Sequence, residues 1–382
     1  MHRFSHSVAE PHLVTSAAAS KRPASAFAGK NETTRMDKVR RAIFQVRSTW
    51  GDEIKQAEIR GSIQKLLEKQ KKADDQIYAG VTAAILAIAD RRPDYADLRR
   101  PSTDPSAEHE YNALKLYCSR EGYDYLFTLV LGLVRSDVAD EYNDRALEEL
   151  RTAATLVEYL TIDLYNLRLA HLSDPEYSGF EGSVCRGMAV SPYVVEDFRA
   201  IARQPQLSER SFSIPLAMIS TTVEEGVMWE FSKSKEFKDR LHWIIHVRSL
   251  RPDLLARYQQ QYPDSVITSI CAMPVYEQSC FRGEREVLLR GPFFQMLRMT
   301  TEDREFDRVH TCELLMLNSN RDHGTELGSN EGAKAAQRML LTKAVRITRN
   351  LACAEMVREY AQSDATEYER LGNAELAEFL KM

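Results

Sequence analysis

Phe281-Arg282-Gly283-Glu284-Arg285-Glu286-Val287-Leu288-Leu289 sets two carboxylates two residues apart at the mouth of an apolar, β-prone run. Read as a strand, the run alternates faces at about 3.3 Å per residue, which puts Glu284 and Glu286 on one face roughly 6–7 Å apart. A Glu-x-Glu pair alone is common and usually marks a solvated strand edge. Its meaning depends on what stands upstream.

Two other short apolar runs carry unusual polar residues: Val184-Cys185-Arg186-Gly187-Met188 and Met218-Ile219-Ser220-Thr221-Thr222. An arginine in an apolar strand is costly to bury unless it meets an anion or a group of acceptors. Gly187 directly after it removes a side chain and admits the close approach of a planar group. Taken singly, Arg186 reads as a structural ion-pair residue, and Ser220, Thr221 and Thr222 as ordinary strand positions. Trp229 and Phe231 read singly as core.

These runs sit within a helix-first, strand-later order. Apolar residues at spacings of three and four, from Val39 through Ile43, Val46 and Trp50 to Leu67, predict a helix over 36–72 that Gly51 or Gly61 can interrupt. Further helices are predicted over 76–90, 107–135 and 140–171. From Gly179 onward, β-branched and aromatic runs predict strands at 183–189, 216–222, 242–249, 265–272, 286–289 and 293–299. Segregation of this kind predicts an α+β fold, since a doubly wound α/β chain would alternate the two throughout. The Pro- and Asp-containing stretch 99–106 reads as a boundary, and the polar run after Asn318 as a loop. Helices around Leu340–Leu351 and over 365–380 close the chain.

Arg-Gly after an apolar strand start, then Ser-Thr-Thr, then Glu-x-Glu-Val-Leu-Leu, with gaps of 34 and 66 residues, resembles the Arg-Ser-Glu class of mono-ADP-ribosyltransferases. The helical stretch with Ala113-Leu114-Lys115-Leu116-Tyr117 resembles the helices that precede the first strand in the arginine-specific branch. The resemblance covers about 107–300. It implies a split β-sandwich ADP-ribosyltransferase fold after the helical N-terminal part, with C-terminal helices beyond. The expected organisation is a disordered lead at 1–35, a helical segment at 36–104, the transferase domain at 107–302, a linker at 303–330 and a helical segment at 331–382.

The resemblance also implies roles. NAD would be the substrate, with no metal. Arg186 would clamp the diphosphate and nicotinamide-ribose side of NAD in a bidentate manner that lysine fills poorly. Gly187 would offer backbone groups to the nicotinamide amide, Ser220 would hold the catalytic carboxylate, and Thr221 and Thr222 would line the same strand. Phe231 would set its ring against the nicotinamide. Glu286 would bind the ribose 2'-hydroxyl and stabilise the positive charge that develops as the nicotinamide–ribose bond breaks. Glu284 would hydrogen-bond the acceptor, an arginine of a target protein, and help remove its proton. Phe281 would touch the protein substrate or serve as a packing plug. Departures from the family pattern are Cys185 where an aromatic is usual, Thr222 in place of a serine, and Arg290-Gly291-Pro292 at the end of the third run. The same residues would serve a NAD glycohydrolase, with water as acceptor, and a silent helical interaction module is the reading from another class.

Composition narrows the alternatives. With 382 residues, one to three domains are expected. A net charge of -5 and a pI near 6.1 give no basic surplus of the kind nucleic acid attracts. The longest apolar runs fall well short of the roughly 20 residues that span a bilayer. The first 35 residues show no secretory h-region and read as a tail, a transit peptide or an export signal, so a soluble protein, cytoplasmic or exported, is expected. Six cysteines stand singly, without zinc-type or redox-type pairing, and His242, His246 and His310 lack metal-ligand spacing. The flanking helices are expected to pack or to dock a partner.

Overall fold

The computed structural model describes residues 53–68, 75–90, 111–135, 144–171, 173–174, 179–214, 218–234, 239–263, 270–319, 331–360 and 363–382. The lead at 1–35, the boundary at 99–106 and most of the strand expected at 265–272 lie outside these residues. The chain divides into two compact units. The first gathers Met1–Ser173, Ile214–Ile219 and Val275–Glu286; the second gathers Asp174–Ser213, Ser220–Pro274 and Val287–Met382.

The first unit is helical. It contains α1 (Glu53–Glu68), α2 (Asp75–Asp90), α3 (Asn112–Tyr117), α4 (Thr128–Arg135) and α5 (Asp144–Ala170), with a π-helical turn at Tyr123–Phe127 before α4. Gly61 lies inside α1 and does not interrupt it. The single helix expected over 107–135 is instead divided after Tyr117. Ser119 explains the restart: its hydroxyl accepts from the Gly122 backbone N–H at 3.0 Å and donates to the Leu116 carbonyl at 2.7 Å. That is the behaviour of an N-cap serine. On α5, Asp163 is 4% exposed, and its carboxylate accepts from the Leu114 backbone N–H at 2.8 Å. It thereby satisfies a donor in the first turn of α3, where the helix supplies no partner of its own.

The second unit is built on an eight-stranded sheet. In chain order its elements are β1 (Gly182–Val190), α6 (Pro192–Ala202), β2 (Ser211–Ser213), β3 (Met218–Thr222), α7 (Glu225–Phe231), β4 (Asp239–Ser249), α8 (Pro252–Gln261), β5 (Ala272–Pro274), β6 (Glu286–Arg290), β7 (Phe293–Asp303), β8 (Arg308–Asn318), α9 (Glu331–Glu359) and α10 (Ala365–Lys381). Met218, Ile219 and Glu286, which open β3 and β6, group with the first unit. The strands run in the order β2-β7-β8-β4-β1-β3-β6-β5 in one hydrogen-bonded ladder. β4 pairs with β1 antiparallel and with β8 parallel. The helix–sheet–helix order expected of an α+β chain is what the structure has.

An interior strand stands where the sequence reads a linker. Arg308–Asn318, inside the region expected as a linker, is β8, an interior strand with neighbours on both sides. Its polar residues hid the strand pattern, yet they are paired. His310, fully buried, bonds Asp239 through Nε2 and Thr301 through Nδ1, both at 2.9 Å. Glu313 accepts from Arg298 Nε at 2.8 Å. Buried polar side chains persist in a core when they find such partners.

The C-terminal helices complete the second unit's core. Leu340, Ala344 and Ile347 of α9 and Phe379 of α10 join Leu254 and Tyr258 of α8 in one buried cluster. Met356 and Val357 of α9 and Tyr368 of α10 join Leu207, Leu297 and Leu315 in another. Each fully buried side chain of this size contributes roughly 1.5–3 kcal/mol. The 331–382 helices are therefore an integral layer of this unit.

Candidate active site

β1 lies between β4 and β3. Its register with β3 sets Cys185 opposite Thr222. Arg186, half-buried, donates from Nη1 to the Ser220 carbonyl at 2.6 Å. A charged donor makes this a strong hydrogen bond, and it ties β1 to β3 at the two sequence-predicted positions. The Cys185 thiol donates to the Thr222 carbonyl at 3.3 Å. Burial, with the Glu225 and Glu224 carboxylates adding to it, pushes that thiol up to about 12, so it stays protonated and inert.

Gly187 has a specific steric reason. A Cβ at this position would lie 1.9 Å from the Met228 carbonyl oxygen. The close approach that the missing side chain permits is therefore taken by the backbone of α7. That helix begins just after a turn in which the Thr222 hydroxyl accepts from the Glu224 backbone N–H at 2.9 Å. It ends at Phe231, which is half-buried.

A set of residues that the sequence pattern did not bring together holds α7 in place. Trp229 meets His242 edge-on, with centroids 4.4 Å apart at 87°. The Arg304 guanidinium stands 4.5 Å from the centroid of the same indole, a cation–π contact. Ser232 donates to the Trp229 carbonyl and lies 2.9 Å from His242 Nε2. With the serine hydrogen committed to that carbonyl, His242 donates from Nε2. Burial first, then the Arg240 and Arg304 cations against the weaker pull of Asp307, lowers the His242 pKa to about 4. The ring is neutral across the physiological range. No residue spacing announces this arrangement, because its members come from α7, β4 and the β7–β8 turn.

On β3, Thr221 is 3% exposed, and its hydroxyl donates to the Val287 carbonyl at 2.6 Å. The second hydroxyl of the run is thus a strand-to-strand tie next to the Glu286–Val287 peptide.

The remaining predicted residues lie in the Val275–Glu286 segment of the first unit. Cys280 donates its thiol to the Cys118 carbonyl at 3.1 Å, which fastens the segment to the end of α3. The Phe281 backbone N–H donates to Ser279 Oγ at 3.0 Å, and the Phe281 side chain is half-buried. Arg282–Glu284 then forms a 3-10 turn in which the Glu284 N–H donates to the Phe281 carbonyl at 2.9 Å. Arg285 follows in the left-handed region at φ 42°, ψ 56°, a conformation that costs a non-glycine residue about 1–2 kcal/mol.

This corrects the strand reading of the Glu-x-Glu pair. Only Glu286 is in β6; Glu284 is on the turn, and the left-handed residue between them breaks the alternation that would place both carboxylates on one face. A sequence run cannot show a positive φ at an arginine, since this residue carries no such preference.

Glu286 is 2% exposed. Its backbone carbonyl accepts from the Val275 N–H at 2.9 Å, but neither carboxylate oxygen has a hydrogen-bond partner among the described residues. An isolated buried carboxylate is expensive, by several kcal/mol even after relaxation. Chemically, such a group is an acceptor waiting for a donor, which suits a ligand hydroxyl. Among the described residues no group of three His, Cys, Asp or Glu is arranged to hold a metal ion, and no helix is long and apolar enough to cross a membrane.

No known protein family and no curated protein matches the chain. Among solved structures it is similar to the type III effector XopAI from Xanthomonas axonopodis pv. citri, at 12% identity and a TM-score of 0.37, over 73% of this chain and 92% of that one. It is similar to the ADP-ribosyltransferase Vis from Vibrio splendidus, at 10% identity and a TM-score of 0.33, over 64% of this chain and 87% of that one. It is also similar to the ADP-ribosyltransferase HopU1 of Pseudomonas syringae pv. tomato DC3000, at 13% identity and a TM-score of 0.30, over 50% of this chain and 65% of that one. Superpositions this loose leave the activity of this chain to be argued from its own residues.

Proposed function

We propose that the protein is an NAD-dependent mono-ADP-ribosyltransferase that moves ADP-ribose to an arginine of a target protein and releases nicotinamide. The observation that carries this reading is the Glu286 carboxylate, buried and without a hydrogen-bond partner among the described residues. A ribose 2'-hydroxyl supplies the donor it lacks.

Each residue then has a task. Glu286 accepts from the 2'-hydroxyl and stabilises the positive charge that builds on the ribose as the bond to nicotinamide breaks; one well-placed group of this kind contributes about 3–4 kcal/mol. Arg186 binds the diphosphate and nicotinamide-ribose side, and its bond to the Ser220 carbonyl orients its guanidinium. Gly187 offers backbone groups to the nicotinamide amide, Thr222 lines the same strand that Thr221 ties, and Phe231 at the end of α7 faces the ring; Ser220, expected to hold the catalytic carboxylate, makes no hydrogen bond to either Glu286 carboxylate oxygen. Glu284 accepts a proton from the incoming arginine, and Phe281 contacts the protein that carries it.

A second reading has its own support. With Glu284 on a turn and Arg285 left-handed between the two glutamates, the acceptor-handling carboxylate is not held by the strand that holds Glu286. Water then serves as acceptor, and the protein is a NAD glycohydrolase.

The test incubates the protein, Glu286→Ala and Glu284→Ala with labelled NAD and agmatine or poly-arginine. Nicotinamide release and label transfer are followed together. The transferase reading expects both from the wild type, neither from Glu286→Ala, and release without transfer from Glu284→Ala. Release without transfer by the wild type establishes the glycohydrolase. Equal release by the wild type and Glu286→Ala, or none from either, overturns the catalytic assignment.

A further inference from the structure

We propose that the cleft bounded by the β6–β7 turn, the end of β8 and the middle of α9 binds a small tetrahedral oxyanion of the phosphate class. Three guanidinium groups line it, those of Arg290, Arg346 and Arg349, and no Asp or Glu does so among the described residues. They come from separate parts of the fold. Arg290 ends β6 and is 2% exposed; Arg346 and Arg349 stand three apart on α9, hence on one helix face.

The arginines are held in different ways. Arg349 lies 5.3 Å from the centroid of the Phe293 ring, and its Nε and Nη2 both donate to Asn350 Oδ1 at 3.4 and 3.0 Å. A stacked and forked guanidinium is a fixed donor. Its Nη1 has no acceptor among the described residues. Arg346 is half-exposed, and its Nε lies 3.2 Å from Glu375 Oε1. Its two terminal nitrogens have no acceptor among the described residues and stand where a solute can reach them. Ser319, 5% exposed, lines the same cleft.

Charge favours the same conclusion. Glu375 is the carboxylate paired to this cluster, and it also accepts from Asn350 Nδ2 at 3.3 Å. The two cations Arg346 and Arg349, with one such carboxylate, leave an excess of one positive charge. Their repulsion is stronger in partly dry surroundings than in water. A phosphate-type anion offers paired oxygens that match the fork of an arginine. Leu317 and Phe293 on the other walls exclude bulk water and keep those bonds strong. The site is independent of the NAD reading and stands if that reading fails.

The full chain is titrated with inorganic phosphate at constant ionic strength, chloride being exchanged for phosphate. Melting temperature and binding heat are followed. Saturable binding with a rising melting temperature is expected, because an anion that binds only the folded chain stabilises it. Arg346→Gln and Arg349→Gln each weaken binding by roughly tenfold. Arg358→Gln, about 18 Å further along α9, leaves it unchanged. Phenyl phosphate provides a second arm: binding as tight as the inorganic ion assigns the cleft to a phosphate monoester, and weaker binding assigns it to the free ion. No saturable signal above the chloride baseline overturns the proposal. Variants at 346 and 349 that bind as the wild type does, with unchanged circular dichroism, overturn it equally.

Discussion

Thr221 and Glu286 are almost equally buried, at 3% and 2% exposed, and their hydrogen-bonding states are opposite. The threonine hydroxyl donates to the Val287 carbonyl at 2.6 Å, while both oxygens of the glutamate lack a partner among the described residues. The same contrast runs between the regions around them. Around β1, β3 and α7 polar groups are paired: Arg186 with the Ser220 carbonyl, Cys185 with the Thr222 carbonyl, the Glu224 N–H with the Thr222 hydroxyl, and His242 of β4 with Ser232. The β6 entrance combines a left-handed arginine with an unsatisfied carboxylate. Satisfied polar groups hold a fold together. A costly, unsatisfied one next to local backbone strain is the pattern of a site kept for binding or chemistry.

The largest expected effect falls on the structural side of this contrast. Gly187→Ala drives a methyl group onto the Met228 carbonyl, to which a Cβ would approach within 1.9 Å. Since the obstacle is backbone, relief requires α7 to move, at an expected loss above about 3 kcal/mol or failure to fold. Urea denaturation measures it. A midpoint equal to the wild type's contradicts the seating of α7 on β1.

Thr221→Val comes next. It removes the donor and leaves the Val287 carbonyl buried without it, at a cost of about 1–3 kcal/mol. Chemical denaturation reads the loss directly. A loss no greater than that of Thr222→Val would remove the distinction drawn for the Thr221 tie.

The remaining effects are read from pH. His242 has its folded pKa lowered from 6.5 to about 4 by burial and by the Arg240 and Arg304 cations. The unfolded chain therefore takes up this proton first. The stabilisation is full above 6.5 and is lost as pH falls from 6.5 toward 4. Glu313 behaves similarly in a lower window. Burial alone would raise it, but the hydrogen-bonded Arg298 guanidinium, with His246 Nε2 3.6 Å from the other oxygen, outweighs that and holds it at about 2, against 4.5. Its contribution is full above 4.5 and is lost as pH falls toward 2. His242→Gln is expected to flatten stability between pH 6.5 and 4 and to leave the lower window in place, as melting curves across pH will show. An unflattened curve assigns the upper window to another group.

Much of this was legible in the sequence where a pattern has a simple physical cause. β-Branched and aromatic runs located β1, β4, β6 and β7, and the helical period located α2, α5, α9 and α10. Arg186 and Ser220, singled out as polar intruders in apolar strands, are bonded to each other. The rest was hidden for identifiable reasons. β8 was read as linker because His310 and Glu313 interrupt its pattern, and only the fold reveals their partners. The short helix α7 carries too few turns to show a period, and its anchors, Trp229, His242 and Arg304, are distant in sequence. The turn that parts Glu284 from Glu286 depends on a positive φ at Arg285, a residue type that gives no warning of it.

The central claim is that Glu286 is held unsatisfied for the sake of a ligand hydroxyl. Glu286→Gln tests it most directly when nicotinamide release from NAD and melting temperature are measured on the same preparation. Release is expected to fall by about 10²–10³-fold, with the melting temperature equal to or above that of the wild type, because a buried unpaired charge has been removed. Release at the wild-type rate, or a lower melting temperature that shows the carboxylate holding the fold together, contradicts the account.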